Sequence, residues 1–242
     1  MAILDELIAR GSYALITTHH SMLKKYASKI IVNDLENYSY VINACYLTNK
    51  EEYPKKLCNE LRNEIISSSL NKKIPGIITE NYAPKDDNKI EKGERVFYTH
   101  RNALLIDTYR NLIDKIVREE NLKRFFLAPL ITEASIHVNT SGVFKGFYKD
   151  KNTGIGCFGA GGKNALTRIL GEVKLKEPVF SNFNSELEIF TKDAVLLSKE
   201  IKNADIVYID PPYNQHPYGS NYFMLNLILK NKLDVPISPV SG

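Results

Sequence analysis

The residues best arranged for chemistry are Asp210-Pro211-Pro212-Tyr213. Two successive prolines remove two N–H donors and fix φ, so the loop they make is stiff and its carbonyls must look outward for partners. The Asp210 carboxylate and the Pro211 carbonyl then form two hydrogen-bond acceptors at a fixed separation, and Tyr213 adds an aromatic face. Such a set suits a planar amine conjugated to a ring. The lone pair of that nitrogen is delocalised, and pulling on both N–H bonds at once localises electron density for attack on an electrophilic carbon. The ring that carries the amine stacks on the tyrosine, as a base extruded from a duplex does. Neither a metal nor a covalent intermediate is required. The plainer role for the same letters is a strand stop, because Pro-Pro ends strands and an adjoining Asp caps turns.

What precedes the loop separates these roles. Asp205-Ile206-Val207-Tyr208-Ile209 is a nearly continuous apolar strand of the kind buried in parallel sheets, and it delivers Asp210 to the rim where such sheets bind ligands. The whole final third alternates: a strand over 187–190, a helix over 194–202, the strand over 205–209, the loop, and a helix over 220–230. That order predicts a doubly wound sheet. Further upstream, the apolar β-branched run 29–32 is followed at once by Asn33-Asp34, which puts a carboxylate at another strand's C-terminal edge.

Helices are predicted over 37–47 and 51–70. Leu105, Ile106, Tyr109, Leu112, Ile113 and Ile116 recur at three- and four-residue steps, predicting an amphipathic helix from Asn102 to about Glu120 that leaves Arg101, Arg110, Lys115 and Arg118 mainly for water. A second helix is predicted over 125–138, kinked by Pro129 or beginning there. Seven glycines between Gly142 and Gly162 predict repeated bends rather than a regular layer.

Composition sets the outer limits. The 242 residues are 43% hydrophobic and 25% charged, which suits one large core or a core with a satellite and excludes disorder as the main state. A net charge of +4 tolerates a polyanion without requiring one. Cys45, Cys58 and Cys157 are odd in number and far apart, which excludes a disulfide framework or a C-x-x-C site. No run reaches the roughly twenty apolar residues that span a bilayer, and the N-terminus lacks a signal peptide's order, so a cytoplasmic protein is expected. His19-His20 lacks a ligand set nearby, and Gly159-Ala160-Gly161-Gly162-Lys163-Asn164 lacks the spacing of a phosphate-cradling loop.

Around Asp210-Pro211-Pro212-Tyr213 the chain resembles the Dam-like class of DNA adenine N6-methyltransferases. The continuation Asn214-Gln215-His216-Pro217-Tyr218-Gly219-Ser220-Asn221-Tyr222-Phe223 is similar to the extended form found in many restriction-modification methylases. The likeness includes Phe183-Asn184, the strand 187–190 with Asp193, the block from Val138 to Lys149, Asn102-Ala103, and Val32-Asn33-Asp34-Leu35-Glu36. It thus covers most of the chain from about residue 21.

The resemblance implies S-adenosylmethionine as cofactor and double-stranded DNA as substrate. It implies that Asp34 accepts hydrogen bonds from the cofactor's ribose and that Asp193 contacts its adenine amino group. Without the family, each is a strand-end or helix-cap Asp. Asp rather than Ser or Asn at 210 favours adenine over the rival planar amines, cytosine N4 and a glutamine amide. Between Asp34 and Asp210 the resemblance places a target-recognition region. Within it, Lys145, Lys149 and Lys151 alternate with Phe144, Phe147 and Tyr148, so Lys145, Tyr148 and Lys149 are candidates to meet DNA; a solvated hairpin is the alternative.

The chain departs from the family at its start. Members open with a strand that ends in a Phe-x-Gly-x-Gly loop, whereas residues 5–12 hold one glycine and no such strand is visible. The expected fold is α/β, an incomplete Rossmann-like methyltransferase sheet with an inserted target-recognition region, in a chain truncated at both ends. The expected parts are an atypical segment 1–20, a remnant of the cofactor-binding half over 21–72, a target-recognition region over 73–182 and a catalytic part over 183–242. The expected function is site-specific adenine N6 methylation within a restriction-modification system, with a cognate endonuclease or a separate N-terminal segment as further partner. The other reading is an inactive or split fragment that binds DNA without catalysis on its own.

Overall fold

A computed structural model describes residues 12–15, 20–159, 163–209, 218–234 and 236–237. Strand β2 (Ala27–Asn33) forms from Ala-Ser-Lys-Ile-Ile-Val-Asn, with Ile30 and Val32 fully buried. This is the near-continuous apolar run that a parallel strand needs. It lies between β1 (Ser12–Leu15) and β3 (Glu186–Phe190), and β1 pairs on its other side with β4 (Ile206–Val207). All neighbours are parallel and the order is β3-β2-β1-β4, so the carboxyl ends of all four strands share one rim. The fold is α/β, built on a small parallel sheet.

Two strand expectations are corrected. A strand does precede residue 29: Ser12–Leu15 supplies an inner strand from the segment expected to be atypical. Four residues carry little local signal, and the ladders on both sides define it. The strand over 205–209 is shorter and barer than its letters suggest. Only Ile206–Val207 pair, with β1 alone among the described residues, and Val207 and Ile209 are 53% and 77% exposed.

The chain divides into two units, Met1–Leu57 with Glu177–Gln215 and Cys58–Lys176 with His216–Gly242. In the first, Ala27, Ile30, Val32 and Leu47 form a buried cluster joined by Leu23 and Leu187. Burial of side chains such as Ile30 and Val32 contributes roughly 1.5–3 kcal/mol each. Helix α1 (Asn37–Tyr46) follows β2, and its end is closed by buried Lys24, whose Nζ donates to the Leu47 carbonyl at 2.8 Å and to Asn49 Oδ1 at 2.5 Å. Ser185 Oγ donates to the Ala27 carbonyl at 2.7 Å, tying the start of β3 to the start of β2. Helix α7 (Ala194–Glu200) separates β3 from β4.

Helix α2 (Lys55–Asn71) enters the second unit at Cys58 and buries Cys58, Arg62, Ile65 and Ser69, one stripe at helical spacing. The short α3 (Ile77–Asn81) precedes α4 (His100–Ile116), which starts at Thr99, whose hydroxyl accepts from the Asn102 N–H. Helix α5 (Glu120–Ile136) begins well before Pro129 and runs through it, so the proline neither opens the helix nor stops it. Helices α6 (Lys163–Leu170) and α8 (Tyr218–Lys230) complete the unit, and α6 was not foreseen in the glycine-rich stretch. Phe97, Tyr98, Ile106, Ile113, Phe125, Phe126, Leu130 and Ile131 are fully buried.

Arg110 is also corrected, since it is not on the wet side but 7% exposed. Its Nε and Nη2 donate to the carbonyls of Ile228 and Leu229 at 2.8–3.1 Å, capping the end of α8, while Nη1 pairs with Asp114 at 2.6 Å. No helix of the described residues is long and apolar enough to cross a membrane.

Candidate functional site

The rim of the first unit carries two carboxylates. Asp34 follows β2 directly, half-buried; its N–H donates to the Phe190 carbonyl at 3.3 Å, and its Oδ1 accepts from the Glu36 N–H at 2.9 Å. Asp193 lies just past β3, exposed, and caps α7: its Oδ1 accepts from the N–H groups of Val195 and Leu196 at 2.9 and 3.0 Å. Each carboxylate thus uses Oδ1 to shape its own loop. Among the described residues, neither Oδ2 accepts a hydrogen bond.

Strand pairing explains how both come to the same edge. Asn33 and Phe190 are partners at the last rung between β2 and β3, so the residues after them leave the sheet side by side. The side chain of Asn33 carries the pairing one step further, with Nδ2 donating to the Lys192 carbonyl and Oδ1 accepting from the Lys192 N–H, both at 2.9 Å. Sequence reasoning passed over Asn33. The available signal was an amide directly before a strand-end Asp.

Strand β4 ends at the same rim and leads, after Tyr208 and Ile209, to Asp210. Asp210, Pro211, Pro212 and Tyr213 themselves lie outside the described residues. Among the described residues, no group of His, Cys, Asp and Glu is placed to hold a metal ion.

In the second unit, the candidate DNA-contacting residues Tyr148 and Lys149 sit on a small hairpin closed by an antiparallel bridge between Lys149 and Gly156, and Lys145 lies in the turn that precedes it. Its turn is organised by Asp150, whose Oδ1 accepts from Asn152 N–H, Thr153 N–H and Thr153 Oγ at 2.8–3.1 Å; these bonds hold the exposed carboxyl below the usual carboxylate range. Gly156 is a close-approach position, because a Cβ there would stand 2.3 Å from Val96 Cγ2. Phe144 is buried and the Phe147 ring packs edge-on against Phe97 at 5.2 Å. Lys145 and Lys149 are exposed, Tyr148 is half-buried, and Lys149 Nζ lies 5.0 Å above the Phe147 ring. Aromatic rings thus form the base and ammonium groups face water.

Asn139 holds this hairpin and was not singled out from sequence. It is fully buried, with Nδ2 donating to the carbonyls of Val96 and Cys157 at 2.7 and 2.8 Å and Oδ1 accepting from the Gly159 N–H at 3.0 Å. Its own N–H donates to the Phe97 carbonyl at 2.7 Å, and its carbonyl accepts from Tyr148 at 3.3 Å. Residues 96–97, 148 and 157–159 therefore meet at one amide. A further bond, from the Phe144 N–H to the Asn221 carbonyl at 2.7 Å, reaches α8 next to Tyr222, where the helix is interrupted.

The chain is 35% identical over 224 residues to the type II methyltransferase M.CviAII of Paramecium bursaria Chlorella virus 1, covering 90% of this chain and 58% of that protein. It is 30% identical over 212 residues to the type II methyltransferase M.NlaIII of Neisseria lactamica, covering 85% of this chain and 55% of that protein. With the modification methylase StsI of Streptococcus sanguinis it shares 30% identity over 140 residues, 58% of this chain and 20% of that one. The chain thus spans little more than half the length of the first two relatives. No solved structure matches it. Residues 20–234 match the D12 class N6 adenine-specific DNA methyltransferases, and this chain belongs to that family.

Proposed function

We propose that this chain carries the catalytic core of a site-specific DNA adenine N6-methyltransferase of a type II restriction-modification system, with S-adenosylmethionine as methyl donor. The observation that carries the proposal is the rim itself. Asp34 and Asp193 follow adjacent parallel strands, each with one oxygen holding its loop and the other, among the described residues, open to a ligand's donors. An open carboxylate oxygen suits the ribose hydroxyls for Asp34 and the adenine amino group for Asp193, so the donor set of S-adenosylmethionine fits the acceptors present. The strand order supports a Rossmann-like reading, since the chain moves from β1 through β2 to β3 on one side and places β4 on the other. In such sheets ligands bind where that order reverses, outside the carboxyl ends.

Asp210 and the Pro211 carbonyl, reached from β4, grip the two hydrogens of the adenine amino group, and Tyr213 stacks on the extruded ring. S-adenosylmethionine, when bound, supplies the electrophilic methyl. Lys145 and Lys149 neutralise phosphates beside the recognised site, with Tyr148 turned towards a base or sugar. Double-stranded DNA is the partner this requires, and likeness to type II and modification methylases favours a cognate endonuclease as a further one. The sequence of residues 5–12, with its single glycine, favours a second reading in which a separate segment supplies the methionine-binding loop.

The test is transfer of a labelled methyl group to unmethylated duplex DNA by the full chain, with and without an added segment that carries a Phe-x-Gly-x-Gly loop. Label on adenine N6 is expected, and label on cytosine overturns the reaction assigned. Transfer only with the added segment establishes the split reading. Asp210→Ala lowers the rate roughly 100-fold or more, and Tyr213→Ala also weakens it, each with folding intact. An Asp210→Ala rate equal to that of the wild type refutes the role of the acceptor pair.

A further inference from the structure

Asn33 stands directly before Asp34, and Lys192 directly before Asp193. The Asn33 amide exchanges both of its hydrogen bonds with the main chain of Lys192, each at 2.9 Å. This is the closed two-bond pair that one residue makes with another in an antiparallel ladder, here made by a side chain where the β2–β3 ladder runs out. Beyond the last rung, Asn33 and the Asp34–Phe190 main-chain bond carry the connection between the two strand ends. The Lys192 side chain does not share in it, because its Nζ pairs with Glu200 at 2.5 Å and lies over the Phe190 ring at 5.2 Å, all within its own strand, loop and helix.

We infer that Asn33 is a positioning residue of the cofactor site: its amide clamps the loop after β3 to the end of β2 and so fixes the spacing of the Asp34 and Asp193 carboxylates. The inference rests on the cofactor reading of those two carboxylates. Residue type supports it, because only an amide offers a donor and an acceptor side by side. Aspartate lacks the donor and would set a charge against the Lys192 carbonyl, and leucine of similar size lacks both groups. Both bonds of the clamp lie exposed on the rim, so its effect is on geometry more than on the stability of the sheet. Two ligand groups of one molecule are received by residues on different strands, and a loop free to drift costs affinity by having to be ordered on binding.

The experiment titrates S-adenosylhomocysteine, the demethylated cofactor, into the full chain by calorimetry. The proteins are wild type, Asn33→Ala, Asn33→Asp, Asp34→Ala, Asp193→Ala and the Asn33→Ala/Asp193→Ala double variant. Amide hydrogen exchange at Lys192 is followed in parallel. Asn33→Ala is expected to weaken binding roughly tenfold, speed exchange at Lys192 and leave the unfolding midpoint near that of the wild type. Asn33→Asp, which keeps the acceptor but sets a charge against the Lys192 carbonyl, is expected to weaken binding at least as much. In the Asp193→Ala background the same Asn33→Ala change costs clearly less, because the group it positions is gone.

Equal losses in both backgrounds, or wild-type affinity in Asn33→Ala while Asp193→Ala binds weakly, overturn the inference and leave the cofactor reading standing. Wild-type affinity in Asp34→Ala and Asp193→Ala, or no binding by the wild type either alone or with the added segment that carries a Phe-x-Gly-x-Gly loop, defeats the cofactor reading and the inference with it. Should Asn33→Ala not fold, Asn33→Asp decides alone, and its failure to fold would make Asn33 a structural residue only.

Discussion

Asp107 in the second unit and Asp193 in the first do the same local job in opposite surroundings. Each gathers main-chain N–H groups at the start of a helix, α3 for Asp107 and α7 for Asp193. Asp107 is 1% exposed and both of its oxygens are consumed: Oδ1 accepts from Ile78 N–H at 3.2 Å, and Oδ2 from Gly76 N–H, Thr79 N–H and Thr79 Oγ at 2.6–3.0 Å. Asp193 is exposed and, among the described residues, commits Oδ1 alone. A capping carboxylate with no acceptor left over is architecture, whereas one with an open oxygen on a sheet rim is available to a ligand. The same contrast runs through the amides and cations, from buried Asn139 and Arg110 to exposed Lys145 and Lys149.

The largest effect is expected from Asp107→Ala, which strands four donors in the second unit. A loss of at least about 3 kcal/mol should appear in chemical denaturation, and a loss under about 1 kcal/mol would erase the contrast with Asp193. Titration gives a second check. Burial raises the Asp107 carboxyl above its ordinary range, against the opposing pull of its hydrogen bonds from Thr79, Ile78 and Gly76. The folded chain therefore holds this proton more tightly than the unfolded one. The stabilisation is fully present below the unfolded value, near pH 4, and is lost as pH rises through the raised folded value. Asp107→Asn should remove that decline from the stability profile.

How much of this was legible depended on how far away the partners lie. Strand β2 and helix α4 could be read because their signals are local: an apolar β-branched run closed by Asn33-Asp34, and Ile106 and Ile113 recurring on one helical face. Arg110 was misread as solvated because the carbonyls it caps lie 118 and 119 residues further on. The Asn33 clamp spans 159 residues, and the amide beside the strand-end Asp34 gives no sign of so distant a partner. Strand β1 escaped notice for the same reason, since Ser12–Leu15 is defined by ladders to residues 27–31 and 206–207. The apolar letters of Ile206-Val207-Tyr208-Ile209 suggested burial on both faces, but pairing decides burial, and among the described residues β4 has one neighbour. Asp210-Pro211-Pro212-Tyr213 are legible by residue type and by the strand that leads to them, and they lie outside the described residues.

Asn139→Ala comes next in size. It removes three side-chain bonds at a fully buried position, and roughly 2–3 kcal/mol of stability should be lost. The change also sharpens the comparison, because Asn139 touches no solvent yet holds the hairpin that carries Tyr148 and Lys149. DNA affinity should therefore fall together with stability. A variant that loses stability while binding DNA as the wild type does would separate the hairpin from DNA contact.

The smallest effect is expected from Lys149→Ala, at the open end of the comparison. Its ammonium rests over the Phe147 ring and faces water, so its removal leaves no buried partner behind and stability should not change measurably. If Lys149 neutralises one phosphate, binding weakens alike on all duplex sequences, and the slope of log affinity against log salt becomes shallower by about 1. Lys149→Arg should keep the slope, since the charge and its seat over the ring both survive. A loss confined to one DNA sequence would mean that Lys149 meets a base edge, because phosphate contacts carry no sequence information. An unchanged slope would mean that the ammonium serves the Phe147 ring alone, and the hairpin would then join the closed, structural side of the molecule.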